Sequence, residues 1–351
     1  MPDIVLLSLP FAAGIAAGGI SPAPIPVASA AFGLALASLA TAAVLKGRDA
    51  AAVCLLFFFL GALRSLSGNI FYVSQGVNLG SGALEKLSSL IRDIPFRHGD
   101  TTALLTALFT GRRDLLSRGL TGAFRDAGAA HILALSGLHL GVIYLIISKL
   151  LKFLGNSRTA LALRSAAALA LCFFYAFMTG ASPSIIRALI FIALNEAARH
   201  FPGRRKSAAG IWCASLMIQL LIKPAVIAST GFQLSYLAML GIILLFPKLR
   251  EWYPAQGGSR YDIMRKAWNA MALTLSCQIF TAPLVWLRFH SFPKYFLLTN
   301  LIALPLTEML IFGGSACIAL SAMKICPRFL TEAVDILASL LAGALATIAD
   351  M

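Results

Sequence analysis

The chain reads as an all-α, polytopic membrane protein, a transmembrane helical bundle, and three observations predict this. Hydrophobic residues make up 59% of its 351 positions and charged residues only 12%, for a mean hydropathy of +0.85. That balance lies far from a soluble globular domain. Apolar runs long enough to cross a bilayer as helices recur along the whole length. Basic residues gather in clusters separated by charge-poor turns, the pattern the positive-inside rule leaves.

In chain order, about eleven spans begin near Ile4, Pro26, Ala50, His131, Thr159, Pro183, Ser207, Val226, Met264, Tyr295 and Phe329. The first is followed by Ala28-Ser29-Ala30, like a secretory signal, but opens Met1-Pro2-Asp3 without a basic region, so it is expected to be retained. The run from Tyr295 to Met323 contains Pro305 and reads as one span or as two half-spans. Lys149, Lys152 and Arg158 form one basic cluster, Arg199 and Arg204 to Lys206 a second, and Lys248, Arg250, Arg260, Arg265 and Lys266 a third. Placed in the cytoplasm with Lys46 and Arg48, they put the N-terminus inside and residues 69–130 outside. Three regions follow: N-terminal transmembrane helices over 1–68, an external segment over 69–130, and a larger transmembrane domain over 131–351. Within the external segment Leu116, Leu120, Phe124 and Ala127 recur at helical spacing away from Arg118, Arg125 and Asp126. That pattern predicts an amphipathic helix lying along the outer interface.

The net charge of +15 is explained by topology first and only weakly supports a polyanionic partner. Six scattered cysteines without a CxxC pair read as small buried hydrophobes rather than as a disulfide framework or metal site. No G-x-x-x-x-G-K-[ST] loop or dinucleotide fingerprint is present. No cofactor, metal or catalytic residue is therefore assigned, and the chain is not read as an enzyme.

One stretch stands out: His131-Ile-Leu-Ala-Leu-Ser136-Gly-Leu-His139-Leu-Gly141 sets two histidines, a serine and glycines at the head of an apolar run. It closely resembles the histidine signature of ComEC-type competence proteins. Three further segments agree in order: Gly180 to Ala188 with Pro183, Ser184 and Arg187; Gly231-Phe-Gln233-Leu-Ser235-Tyr236; and Gln278 to Pro283 followed by Asn300 to Pro305. Residues 113–130 resemble the family's amphipathic lead-in, so the likeness covers about 100–310. It implies a multi-pass protein of the bacterial inner (cytoplasmic) membrane, a channel for DNA uptake in which single-stranded DNA is internalised during natural transformation. The partners it implies are a cytoplasmic helicase-type motor and an external DNA receptor; membrane lipid surrounds the chain, and the sequence leaves open a pore in one chain or in a homodimer. Two parts of many family members have no counterpart here. Only about thirty residues separate Ser67 from Asp100, too few for a five-stranded OB-fold, and no HxHxDH-type cluster of a metallo-β-lactamase-like domain occurs. The expectation is a minimal form that holds the membrane domain alone.

The residues can be weighed without the family. Ser136 and His139 can share a helix face, which permits a nucleophile and base, close helix packing, or a polar constriction. His131 and His139 would lie roughly 12 Å apart on one continuous helix, too far to share a zinc ion. Ser182 followed by Pro183 is a helix start, and such an N-terminus suits phosphate. Arg187, one turn in, needs a cavity or a partner; Glu308 is the candidate. Gln233, Ser235, Gln278 and Asn300 can line a polar path or bond neighbouring helices. Phe173, Phe174, Tyr175, Phe232 and Tyr236 offer stacking for bases or plain packing. The DNA path is thus assigned to His131, Ser136, His139, Ser182, Ser184, Arg187, Gln233, Ser235, Gln278 and Asn300. The alternatives are a secondary transporter of a small organic anion, which the same arginine and helix ends would suit, and an intramembrane hydrolase using Ser136 and His139.

Overall fold

A computed structural model describes residues 8–16, 50–66, 79–155, 157–200, 207–253, 263–290 and 294–351. Among them the chain is helical, with no strand. Five helical stretches are long and apolar enough to cross a membrane: 137–154, 158–178, 264–289, 296–322 and 328–349. The eleven expected spans are not all of this kind. The one near Pro26 lies outside the described residues, and those near Ser207 and Val226 form helices of only 15 residues each, Ala208–Ile222 and Thr230–Leu244.

The chain divides into two compact units: residues 1–76 with 190–243, and 77–189 with 244–351. In the first, residues 8–16 are helical, followed by α1 (Ala50–Leu66). Phe11 and Ile15 join Trp212, Cys213, Leu216, Leu220, Val226, Phe232 and Tyr236 in one buried cluster. Gly14 and Gly61 bring the helix of residues 8–16 into backbone contact with α1: a Cβ on Gly14 would overlap the Phe58 carbonyl, and one on Gly61 the Phe11 carbonyl. Small residues at a crossing permit such close approach between membrane helices. Arg64, in the last turn of α1, donates to the carbonyls of Leu221 (2.8 Å) and Ile222 (3.2 Å), a cation placed where a helix ends with unpaired carbonyls.

The second unit begins with α2 (Leu79–Arg92) and α3 (Gly99–Thr110). This hairpin is no surface appendage, because nine residues of α3 are buried. Leu104, Leu105, Leu108 and Phe109 share a core with Leu310, Ile311, Val334, Ala338 and Leu341. The amphipathic helix follows as α4 (Arg118–Asp126), started by Ser117, whose Oγ accepts from Leu120 N at 3.2 Å. Its Leu120 and Phe124 are buried while Arg118, Arg125 and Asp126 are exposed, as the spacing predicts. After the single turn α5 (Ala130–Leu133) come α6 (Gly137–Leu150), α7 (Arg158–Met178) and α8 (Pro183–His200); α8 is divided between the units after Leu189. The first unit then takes α9 (Ala208–Ile222) and α10 (Thr230–Leu244). The second closes with α11 (Phe246–Glu251), α12 (Ile263–Phe289), α13 (Phe296–Ala322) and α14 (Arg328–Ala349).

Prolines 283 and 305 sit inside α12 and α13 without ending them. The two half-spans weighed for Tyr295 to Met323 are therefore one helix. In a packed membrane bundle, neighbouring helices and local adjustment re-satisfy the carbonyl that a proline frees.

Candidate functional site

The histidine motif does not form one helix. Ala134 (ψ 132°) and Ser136 (φ −112°, ψ 168°) are extended, so α5 ends and α6 starts afresh at Gly137. Ser136 is its N-cap. Its Oγ lies 2.8 Å from His139 Nδ1, and its backbone N–H donates to the same nitrogen at 3.3 Å. This is a capping box with histidine in the place usually held by glutamate or glutamine. Because Nδ1 accepts that N–H, the neutral ring carries its proton on Nε2. His139 is only 1% exposed, and Nε2 is enclosed without a hydrogen-bond partner among the described residues. His131, expected on the same helix, stands apart on α5, exposed, with Nδ1 3.2 Å from the Gly128 carbonyl.

α8 starts as the sequence predicts. Ser182 Oγ accepts from Ile185 N at 3.4 Å, and Pro183 occupies the first helical position after Gly180 and Ala181, both at positive φ. The two helix starts meet. A Cβ added to Gly137 would come within 3.2 Å of Ala188 Cβ and of Arg187 Nη2, and 3.8 Å of the Ser184 carbonyl oxygen. The absence of a side chain at Gly137 is thus what seats the guanidinium beside the first turn of α6. Cys277 of α12 lies within electrostatic reach of Arg187, which brings the helix carrying Gln278 to the same place. Two positive helix ends and one arginine in a small volume make a setting for an anion.

Glu308 is not part of this setting. The pair of Arg187 with Glu308 does not form: Glu308 is exposed and has no ion-pair partner among the described residues. Its position on α13 turns it away from the core, which Thr307 and Leu310 face instead. Asn300 is half-buried on α13, with Oδ1 enclosed and lacking a hydrogen-bond partner among the described residues, and the adjacent Thr299 donates to the Ala127 carbonyl at 2.8 Å. Gln278 and Ser184 are half-buried. Gln233 and Ser235 belong to the first unit, where Gln233 Nε2 donates to the Ile227 carbonyl at 2.9 Å and ties α10 to the turn before it. Phe232 and Tyr236 are core residues, their rings 4.5 Å apart, and Tyr236 Oη donates to Gln219 Oε1 at 3.0 Å. They are enclosed by packing and offer no face for a base. Tyr175 is likewise buried, donating to the Phe109 carbonyl at 2.9 Å, whereas Phe173 and Phe174 are exposed along α7. Sequence reasoning missed Ala188 and Cys277, because small size and a plain thiol carry no signal until tertiary packing sets them against Gly137 and Arg187.

The capping geometry yields a test of the serine. Ser136→Ala removes an N-cap and should cost about 0.5–2 kcal/mol of stability, read as a lowered melting midpoint in detergent. An unchanged midpoint would show that the Ser136 cap contributes nothing to the start of α6.

Comparison with known proteins agrees with these motifs. The family described as "Competence protein" matches residues 108–351. The chain is 27% identical over 256 residues to ComE operon protein 3 of Bacillus subtilis, covering 72% of this chain and 31% of that protein. It is 28% identical over 227 residues to competence protein ComA of Neisseria gonorrhoeae, covering 61% and 30%. A third relative, the uncharacterized protein YcaI of Escherichia coli, is 24% identical over 242 residues, covering 68% and 31%. The chain thus aligns with under a third of each relative's length. No solved structure matches it significantly. With the family match running from the end of α3 through α14, the chain belongs to the competence protein family.

Proposed function

We propose that this protein is the inner-membrane conduit through which single-stranded DNA is internalised during natural transformation. The observation that carries the reading is the meeting of the α6 and α8 N-termini around Arg187 at Gly137. Helix ends bind phosphate through backbone N–H groups and partial charge, without burying many full charges in hydrocarbon. A strand that must move needs such contacts to be good enough to enter and weak enough to leave. His139, Ser136, Ser184, Gln278 and Asn300 line or brace this region, with His131 and Ser182 at its outer mouth. The amphipathic helix α4 lies along the outer interface. Family membership and the names of its relatives support a part in competence and DNA uptake, and do not favour the organic-anion transporter. Energy comes from a cytoplasmic helicase-type motor, and DNA is delivered by an external receptor; a homodimer is a further form the reading allows.

The experiment scores surface-bound and internalised labelled DNA separately in cells with and without the gene. Loss of internalisation with surface binding intact is the expected result. Unchanged internalisation in the deletion strain would overturn the proposal for that host.

A further inference from the structure

Away from the histidine motif, the tip of the α2–α3 hairpin meets the first turns of α14. Backbone N–H of Arg97 donates to Asp335 Oδ2 at 2.8 Å, and the Arg97 guanidinium pairs with Glu332. These groups, with His98, Ile336, Ser339 and Leu340, line a groove of about 340 Å³.

Its order along α14 is informative. Glu332 lies one turn from the helix start and Asp335 two turns, whereas Ile336 and Leu340 extend the groove toward the middle of the span. Ile336 is 60% exposed and Leu340 55%. On a helix that crosses a membrane, such exposed aliphatic residues face acyl chains rather than water. The polar end holds one guanidinium and two carboxylates. Asp335 is only 4% exposed, and its Oδ1 has no hydrogen-bond partner among the described residues. The site therefore combines a phosphate-binding cation, carboxylates that accept from a cationic donor, and an apolar track leading inward.

We propose that this groove binds a phospholipid with a primary-ammonium headgroup, of the phosphatidylethanolamine class. The phosphate lies on Arg97, the ammonium on Glu332 and Asp335, and an acyl chain along Ile336 and Leu340. An anionic lipid would place its only headgroup charge beside two carboxylates, so charge complementarity favours the zwitterion. A trimethylated headgroup has the same net charge but no N–H to donate. The exposed Arg97–Glu332 pair is no obstacle, since surface ion pairs contribute little and the headgroup returns an opposite charge to each partner. Bound there, the lipid would join the hairpin tip to α14. This site is independent of the proposed DNA path.

The test is native mass spectrometry of the full chain, purified in detergent and exposed in turn to phosphatidylethanolamine, phosphatidylcholine and phosphatidylglycerol. The expected result is retention of one phosphatidylethanolamine, favoured over the other two by about threefold, the scale of one exposed ion pair. Glu332→Gln should reduce retention to the phosphatidylcholine level. Arg97→Gln should lower retention of all three lipids. Melting midpoints of both variants check that they are folded. Equal retention of the three lipids by the wild-type chain, or a preference that survives Glu332→Gln, overturns the proposal and leaves an ordinary lipid-facing surface.

Discussion

Arg187→Ala is expected to lower internalisation of DNA by about ten- to a hundredfold while DNA bound at the cell surface stays unchanged. The magnitude follows from the contact removed: a hydrogen bond to a charged group contributes about 1.5–3 kcal/mol, and each 1.4 kcal/mol is about a factor of ten. The guanidinium lies beside Gly137, where α6 and α8 begin, so its loss leaves only partial charges to meet a phosphate. Arg187→Lys keeps the charge but not the planar fork, and should fall between the wild type and alanine. Because Arg187 also packs against neighbours, the protein level of each variant is measured alongside. Wild-type internalisation by a normally expressed Arg187→Ala protein would remove this residue from the DNA path.

Gly61→Ala should have a large effect on folding. Its added Cβ would overlap the Phe11 carbonyl oxygen, and backbone cannot turn aside as the end of a flexible side chain can. The helix of residues 8–16 and α1 must separate, which loosens the cluster around Phe11 and Ile15. Overpacking of this kind costs about 1–3 kcal/mol and sometimes more; a clash with backbone belongs at the upper end. Gly14→Ala, which meets the Phe58 carbonyl, should behave alike. Gly82→Ala is the control: it lies exposed in α2 with nothing within 4 Å of the added carbon, and alanine favours a helix by about 1 kcal/mol. Melting midpoints in detergent would show Gly61→Ala well below the wild type and Gly82→Ala at or above it. Equal midpoints would contradict the close crossing.

Much of the fold was legible because it rests on local rules. Apolar length gave the helices at Arg158, Met264, Phe296 and Arg328, and the spacing of Leu120, Phe124 and Ala127 gave the buried face of α4. Ser182-Pro183 announced the start of α8 because capping depends on neighbouring residues alone. The span count was less legible. Hydropathy does not separate a span from a short apolar helix, and the runs near Ser207 and Val226, expected as spans, form helices of only 15 residues each.

Contacts between distant parts of the chain were not legible. Arg187 was expected to find Glu308, a choice resting on charge, but packing put Gly137 beside it and Cys277 within its electrostatic reach. The histidine motif was expected to run as one helix, and Ser136 and His139 closed a capping box that starts a new one. Composition, hydropathy and motif order by themselves determined a helical membrane protein of the competence family, because burial in lipid and helix capping act within a few residues. Tertiary structure alone decided that the starts of α6 and α8 converge on one arginine, and that the α2–α3 tip meets Asp335. Such approaches depend on which small side chains happen to face each other across helices, and no spacing within a single segment encodes that.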